Sequence, residues 1–222
     1  MGRGILYVMS TAVPGLIKIG KTSADQFLSR MNKLEKDGYS NVTALKREFA
    51  IEVDEYDAKE TLLHTIFSKS RIKQTELFAA DLETVIQLLS AFDGKKIYPK
   101  EGTKEEAFEK AVEKLDEQES SQLPNGVYTL CSKRKGYGQI EAELEVKNGD
   151  LILKKGSICA PSVHEKAIKL RENALIKDDV LQKDLPCSSV SIAGAIVLGN
   201  NINGWKIWKD KSGNKIDKYR EL

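Results

Sequence analysis

An acidic run near the middle of the chain divides it. Residues 99–121 carry 8 Asp or Glu against 4 Lys or Arg, a net of −4, whereas residues 1–98 net +1 and residues 122–222 net +5. Within the run, Ala107, Ala111 and Leu115 recur at four-residue steps, and Pro99–Gly102 and Ser120–Pro124 bound it. That spacing predicts one exposed helix acting as a linker. Residues 1–98 and 122–222 are then two domains, each of a size that can bury its own core. The linker's charge would repel a polyanion, so any nucleic-acid surface belongs on the flanking parts.

Composition narrows the class. Hydrophobic residues at 41% and charged residues at 31% suit a globular chain and exclude collagenous or wholly disordered ones. The longest apolar run, Val190 to Gly199, is far shorter than the roughly 18 residues of a membrane span, so no membrane association is expected. The opening MGRGILYVMS lacks the features of a secretory signal, and a cytoplasmic location is expected. Cys131, Cys159 and Cys187 are too few and too dispersed for a disulfide framework or a paired zinc knuckle and read as reduced thiols.

In the first part, Ile5, Tyr7 and Met9 alternate with Leu6 and Val8 in a strand, and Leu16 to Gly20 returns after a turn at Pro14-Gly15. Thr22 or Ser23 can cap a helix to about Lys36, with Phe27, Leu28, Met31 and Leu34 on its apolar side. A strand over Val42–Val53, a helix over Asp57–Phe67 with Ala58, Leu62 and Ile66 inward, a short extended piece at Thr75–Phe78 and a helix from Leu82 to Phe92 complete a small mixed sheet with helices packed on it. The second half reads as β-rich. It has an alternating run from Val127, strands at Gly136–Gly138, Ala142–Val146 and Leu151–Leu153, and a hairpin turn at Asn148-Gly149. A helix over Lys166–Asn173 follows, then one capped by Ser189 or Ser191 and ended by Gly199. Last come strands at Trp205–Trp208 and Lys215–Ile216 around a DKSGN turn. Both parts are α+β.

One constellation combines a strand tyrosine, basic residues and a later carboxylate: Ile5-Leu6-Tyr7, Lys18-Ile19-Gly20-Lys21, Arg30, His64 and Glu76. Gly4-Ile5-Leu6-Tyr7 followed eleven residues on by Lys18-Ile19-Gly20 resembles the paired motifs of the GIY-YIG nuclease superfamily, especially its phage-type branch with KIG as second motif. Leu62-Leu63-His64 and Glu76-Leu77-Phe78 are similar to later motifs, and the resemblance spans about residues 4–92. It implies a GIY-YIG-like fold and an endonuclease that hydrolyses DNA phosphodiester bonds with one divalent metal, magnesium or manganese in its place.

On that resemblance the catalytic residues are Tyr7, Lys18, Arg30, His64 and Glu76. Glu76 is the metal ligand, because magnesium takes hard oxygen donors and usually keeps several waters. Tyr7 would position or deprotonate the attacking water, and a phenol needs a nearby cation to act as base at neutral pH. Lys18 is the expected source of that cation. The fixed donor fork of Arg30 suits charge developing on the scissile phosphate. Lys21 and His64 are expected at phosphate contacts or proton transfer. Lys18 stands where the second motif has tyrosine, which motivates a rival reading: a non-catalytic nucleic-acid or protein-binding module on a degenerate nuclease scaffold.

Residues 148–220, through Ser188-Ser189-Val190-Ser191, Ala195–Gly199 and Asn203-Gly204-Trp205-Lys206-Ile207-Trp208-Lys209, resemble a carboxy-terminal domain of uncharacterised function appended to such nucleases. Lys133, Arg134 and Lys135 are candidate DNA contacts, as are Lys206, Lys209, Lys211 and Lys215 around the two tryptophans, which would either stack on bases or anchor a core.

Overall fold

The computed structural model describes residues 2–135 and 137–221; Gly136, read above as opening a strand, lies outside them. The chain folds as two compact units, Met1–Lys114 and Leu115–Leu222. Both are α+β.

The first unit is built on strands β1 (Arg3–Ser10) and β2 (Leu16–Thr22), helix α1 (Phe27–Asp37), strand β3 (Lys46–Asp54), helix α2 (Tyr56–Ile66), strand β4 (Leu77–Ala79), helix α3 (Leu82–Ala91) and strand β5 (Gly94–Tyr98). The sheet order is β4-β2-β1-β3-β5. Every pairing is antiparallel, in place of the mixed sheet expected. Period-two alternation gives the sheet two apolar faces. Leu6, Val8, Ile17, Ile19, Phe49 and Ile51 pack with Leu63 of α2 and Val85 and Leu89 of α3. On the opposite face Ile5, Tyr7, Met9 and Ala50 pack with Phe27, Met31 and Leu34 of α1.

Three local expectations change. Thr22 stays in β2, so α1 starts at Phe27 behind Gln26, which makes no side-chain cap. Leu28, one position from Phe27 and so about 100° around the helix, is exposed. On α2 the inward side carries Glu60 and Leu63, whereas Ala58, Leu62 and Ile66 face solvent.

Helix α4 (Lys104–Ser121) opens with a capping box, Thr103 Oγ1 accepting from Glu106 N and Glu106 Oε2 from Thr103 N, each at 3.1 Å. It is not a free linker. Ala107 and Ala111 pack in the first unit's core, while Ser120, fully buried, accepts from Val190 N at 3.1 Å within the second unit.

The second unit follows with β6 (Gly126–Arg134), β7 (Gly138–Lys147), β8 (Asp150–Leu153), α5 (Glu165–Leu170), the short pair β9 (Ile176–Lys177) and β10 (Val180–Leu181), β11 (Leu185–Cys187) and α6 (Val190–Leu198). Its main sheet runs β11-β8-β7-β6. Asn148 and Gly149, at φ 53° and 87°, supply the left-handed pair that the β7-β8 hairpin turn needs. Leu130, Ile140, Leu144 and Val146 on the inner face meet Ala193, Ile196 and Val197 of α6. Ser189 Oγ caps α6 by accepting from Ile192 N at 3.2 Å, and Gly199 ends it in the left-handed region. The expected strand at Trp205–Trp208 is instead a 3-10 turn, Gly204–Lys206, with both indoles buried.

Candidate functional site

The β1-β2 register sets Tyr7 opposite Gly20 and Met9 opposite Lys18, so both functional side chains leave the sheet on the α1 face. A side chain at position 20 would collide with them: an added Cβ would lie 2.7 Å from Tyr7 Oη and 3.1 Å from Lys18 Nζ. Glycine in the Lys-Ile-Gly triplet is therefore a steric requirement of the site. Glu76 precedes β4 and is fastened through its backbone, its carbonyl accepting from Ile19 N at 3.2 Å and its N–H donating to Tyr39 Oη at 3.2 Å. Its side-chain Oε2 pairs with Lys18 Nζ. The Lys18 ammonium also lies 4.2 Å from the centroid of the Tyr39 ring and 5.6 Å from that of Tyr7. Arg30, one turn into α1, acts on the Tyr7 hydroxyl.

Burial governs the electrostatics. Lys18 is 0% exposed, and loss of hydration lowers its pKa despite the opposing pull of Glu76. Tyr7 is fully buried, and desolvation raises its pKa although Arg30 draws it back. Its hydroxyl makes no hydrogen bond of normal geometry among the described residues. Two expectations are thereby corrected. The lysine charge is directed to Glu76, so Arg30 and not Lys18 is the main cation opposing the tyrosine shift. At neutral pH Tyr7 is a protonated phenol, which disfavours it as a base and suits it to orienting a neighbour through hydrogen bonds.

Tyr7, Lys18, Arg30 and Glu76 thus come together, and Tyr39 joins them. Tyr39 belongs to no motif; its only sequence signal is the Gly38 just before it, which ends α1 with φ 76°. His64 is placed elsewhere. It lies on α2, on the far side of the sheet, its ring 5.1 Å from that of Phe78 and its buried Nε2 without a hydrogen-bond partner among the described residues. Lys21 also faces α2, paired with Asp57 at 2.6 Å and Glu60 at 3.0 Å, which raise its pKa and leave it poorly placed for phosphate.

In the second unit Lys133, Arg134 and Lys135 are all exposed, and Arg134 in addition donates to Pro161 O at 2.9 Å. The tryptophans are core anchors and cannot stack on bases: Trp205 Nε1 donates to Asp116 Oδ1 at 2.7 Å and Trp208 Nε1 to Val190 O at 2.9 Å. Arg171, too, is structural. Its guanidinium donates to the carbonyls of Ile196 and Ala160, and burial lowers its pKa.

For a metal, the available donor is Glu76 Oε1, which accepts no hydrogen bond among the described residues on a carboxylate about one-third exposed. No group of three or more His, Cys, Asp or Glu among those residues could enclose an ion. One hard oxygen fits magnesium in the mode that leaves its remaining positions to water and phosphate, and does not fit a structural zinc.

A fully buried lysine paired with a partly exposed carboxylate, beside a phenol and a guanidinium on an antiparallel sheet, is a candidate functional site. In comparison with known families, residues 4–93 match the family model of the T5orf172 domain, a nuclease-associated domain. Residues 133–220 match that of a domain of unknown function (DUF4357). No curated protein and no solved structure matches the chain.

Proposed function

We propose that the first unit is a GIY-YIG-type endonuclease hydrolysing DNA phosphodiester bonds at a single divalent-metal site. The observation that carries this reading is the gathering of Tyr7, Lys18, Arg30 and Glu76 around a glycine that has no room for a side chain. Packing alone does not account for a buried ammonium and a buried phenol whose hydroxyl makes no hydrogen bond of normal geometry, because each is costly away from water.

Glu76 would hold magnesium, or manganese in its place, through Oε1. The bound ion supplies Lewis acidity toward a phosphoryl oxygen and makes its water more acidic. Arg30 stabilises charge developing on the equatorial oxygens. The Tyr7 hydroxyl keeps its proton and aligns the attacking water or a non-bridging oxygen. Lys18 fixes the carboxylate. Lys133 and Lys135, with Lys206, Lys209, Lys211 and Lys215, all exposed, add phosphate contacts whose contribution falls with salt.

The test uses plasmid DNA and the full chain. Wild type is expected to cut with magnesium and to stop in EDTA. Glu76→Ala is expected to lose about a thousandfold in rate, since a metal-stabilised transition state is worth several kcal/mol, while retaining DNA within about twofold. Cleavage persisting in either arm overturns the one-metal mechanism. A second reading, a non-catalytic binding module, is favoured by the Lys18 ammonium already held on Glu76. Binding without product on plasmid, linear duplex, single-stranded DNA and RNA, with both metals, would decide for it.

A further inference from the structure

Tyr39 stands on a two-residue reverse turn. Its N–H donates to Val42 O at 2.8 Å, Val42 N donates to Tyr39 O at 2.9 Å, and Ser40 and Asn41 between them sit at φ 49° and 65°. Two successive left-handed residues that are not glycine are strained. What the turn achieves is placement of one half-buried ring. Its face meets Lys18 Nζ at 4.2 Å, and its hydroxyl accepts the Glu76 N–H at 3.2 Å. Both partners of the ion pair are therefore held by a third residue, one through its charge and the other through its backbone.

We propose that Tyr39 is a positioning residue, whose ring confines the Lys18 ammonium and whose hydroxyl fixes the Glu76 backbone so that the carboxylate keeps one oxygen turned outward. The catalytic consequence rests on the function proposed above; the geometry does not. An ammonium without water needs partners on more than one side, and here a carboxylate takes one side and a π face another. Without the ring, Lys18 could leave Glu76. Without the hydroxyl, the segment entering β4 would lose a tether next to the carboxylate that does the work.

Tyr39→Phe keeps the ring and removes the hydroxyl, and Tyr39→Leu removes both. By NMR on the full chain, the Lys18 ε-methylene protons are expected to be shifted upfield by the ring in wild type and Tyr39→Phe and to return toward random-coil positions in Tyr39→Leu. Exchange of the Glu76 amide should accelerate about fivefold in both variants, the worth of one ordinary hydrogen bond. For cleavage, kcat should fall about fivefold in Tyr39→Phe and about a hundredfold in Tyr39→Leu, as misplacement of a catalytic group produces, with KM for DNA within about twofold.

An unshifted Lys18 methylene in wild type, or an unchanged Glu76 amide in Tyr39→Phe, overturns the assignment. So does wild-type kcat in Tyr39→Leu. Should the leucine variant fail to fold, the phenylalanine variant and the amide decide alone. Wild type that cuts nothing would remove the nuclease reading and leave the two NMR measurements to judge Tyr39.

Discussion

The two units differ in how their ionisable side chains are partnered. In the first, a lysine and a tyrosine are fully buried, the tyrosine hydroxyl lacks a normal hydrogen bond, and desolvation shifts both pKa values toward the neutral forms. In the second, most polar side chains that brace α6 are paired, although Asn200 Oδ1 just past its end is buried without a hydrogen-bond partner among the described residues. Ser120 accepts from Val190 N, Asp116 accepts from Ser191 and Trp205, and Arg171 donates to carbonyls at the C-terminal end of the helix, where the backbone has no intrahelical donors left. Satisfied polar networks specify a fold; unsatisfied ones lower stability and are retained where chemistry needs them. The contrast is what the proposed function leads one to expect: chemistry in the first unit and architecture in the string from Ser188 to Trp208.

Replacing the buried Lys18 of the first unit and the half-buried Arg171 of the second by methionine would break the contrast if both changes had the same sign. The larger effect is expected in the second unit. Arg171→Met leaves the Ile196 and Ala160 carbonyls without their donor and should cost about 3 kcal/mol, the penalty for buried acceptors deprived of partners. Both tryptophans, Trp205 and Trp208, lie in this unit, so urea unfolding followed by indole fluorescence reports it selectively. An unchanged midpoint would show that the arginine is incidental.

Below pH 10 alkaline conditions should act on the two units differently, since the raised pKa of Tyr7 enters only as pH passes its ordinary value of 10. Burial raises the Cys159 thiol to about 11 and the Cys187 thiol to about 12, from an ordinary value of 9. The folded second unit holds these protons more tightly than its unfolded chain, so their stabilisation is present below pH 9 and is lost as pH climbs toward 11 and 12. Between pH 8 and 9.5 the two thiols together should lower stability by about 1 to 2 kcal/mol. In the first unit Lys18 runs the other way. Its folded pKa lies below 10.5, so the unfolded chain binds the proton more tightly and the Lys18 contribution rises with pH up to that value. Amide exchange across this range should show protection falling in residues 115–222 first; loss starting in the first unit would refute the assignment.

The β1-β2 hairpin was legible because period-two alternation and a Pro-Gly turn agree, and Gly15 does take a positive φ of 75°. Tyr7, Lys18 and Glu76 were legible as candidates through motif order, whereas Arg30 lies in none of those motifs and joins them from α1. Among the features that were not legible, three share a cause. Strand β5, Gly-Lys-Lys-Ile-Tyr, carries lysines because it is a sheet edge, and edges favour charge where buried strands favour branched apolar residues. Helix α2 turns Glu60 inward because Lys21 is there to receive it, while the apolar stripe of Ala58, Leu62 and Ile66 is left in water; periodicity by itself ranks these faces in the wrong order. His64 shares a motif with its neighbours, yet a helix on the far side of the sheet carries it to Phe78. Each miss comes from a partner distant in sequence.

The smallest expected shift in stability is the most discriminating. Lys18→Met removes a buried charge in favour of a side chain of similar length, and Glu76, partly exposed, can turn its freed oxygen to water. Removing one partner of a buried pair is costly when the other stays buried, but here the carboxylate left behind can be hydrated while the desolvation cost of the lysine disappears, so the first unit should gain about 1 kcal/mol. Cleavage should nevertheless fall about a hundredfold, because the carboxylate loses the partner that fixes it. A more stable and less active protein is the mark of a residue kept for function. Amide exchange of β1 and β2 measures the gain and the plasmid assay the loss. A variant that lost stability with cleavage unchanged would place Lys18 with Arg171, as part of the framework, and the difference between the two units would disappear.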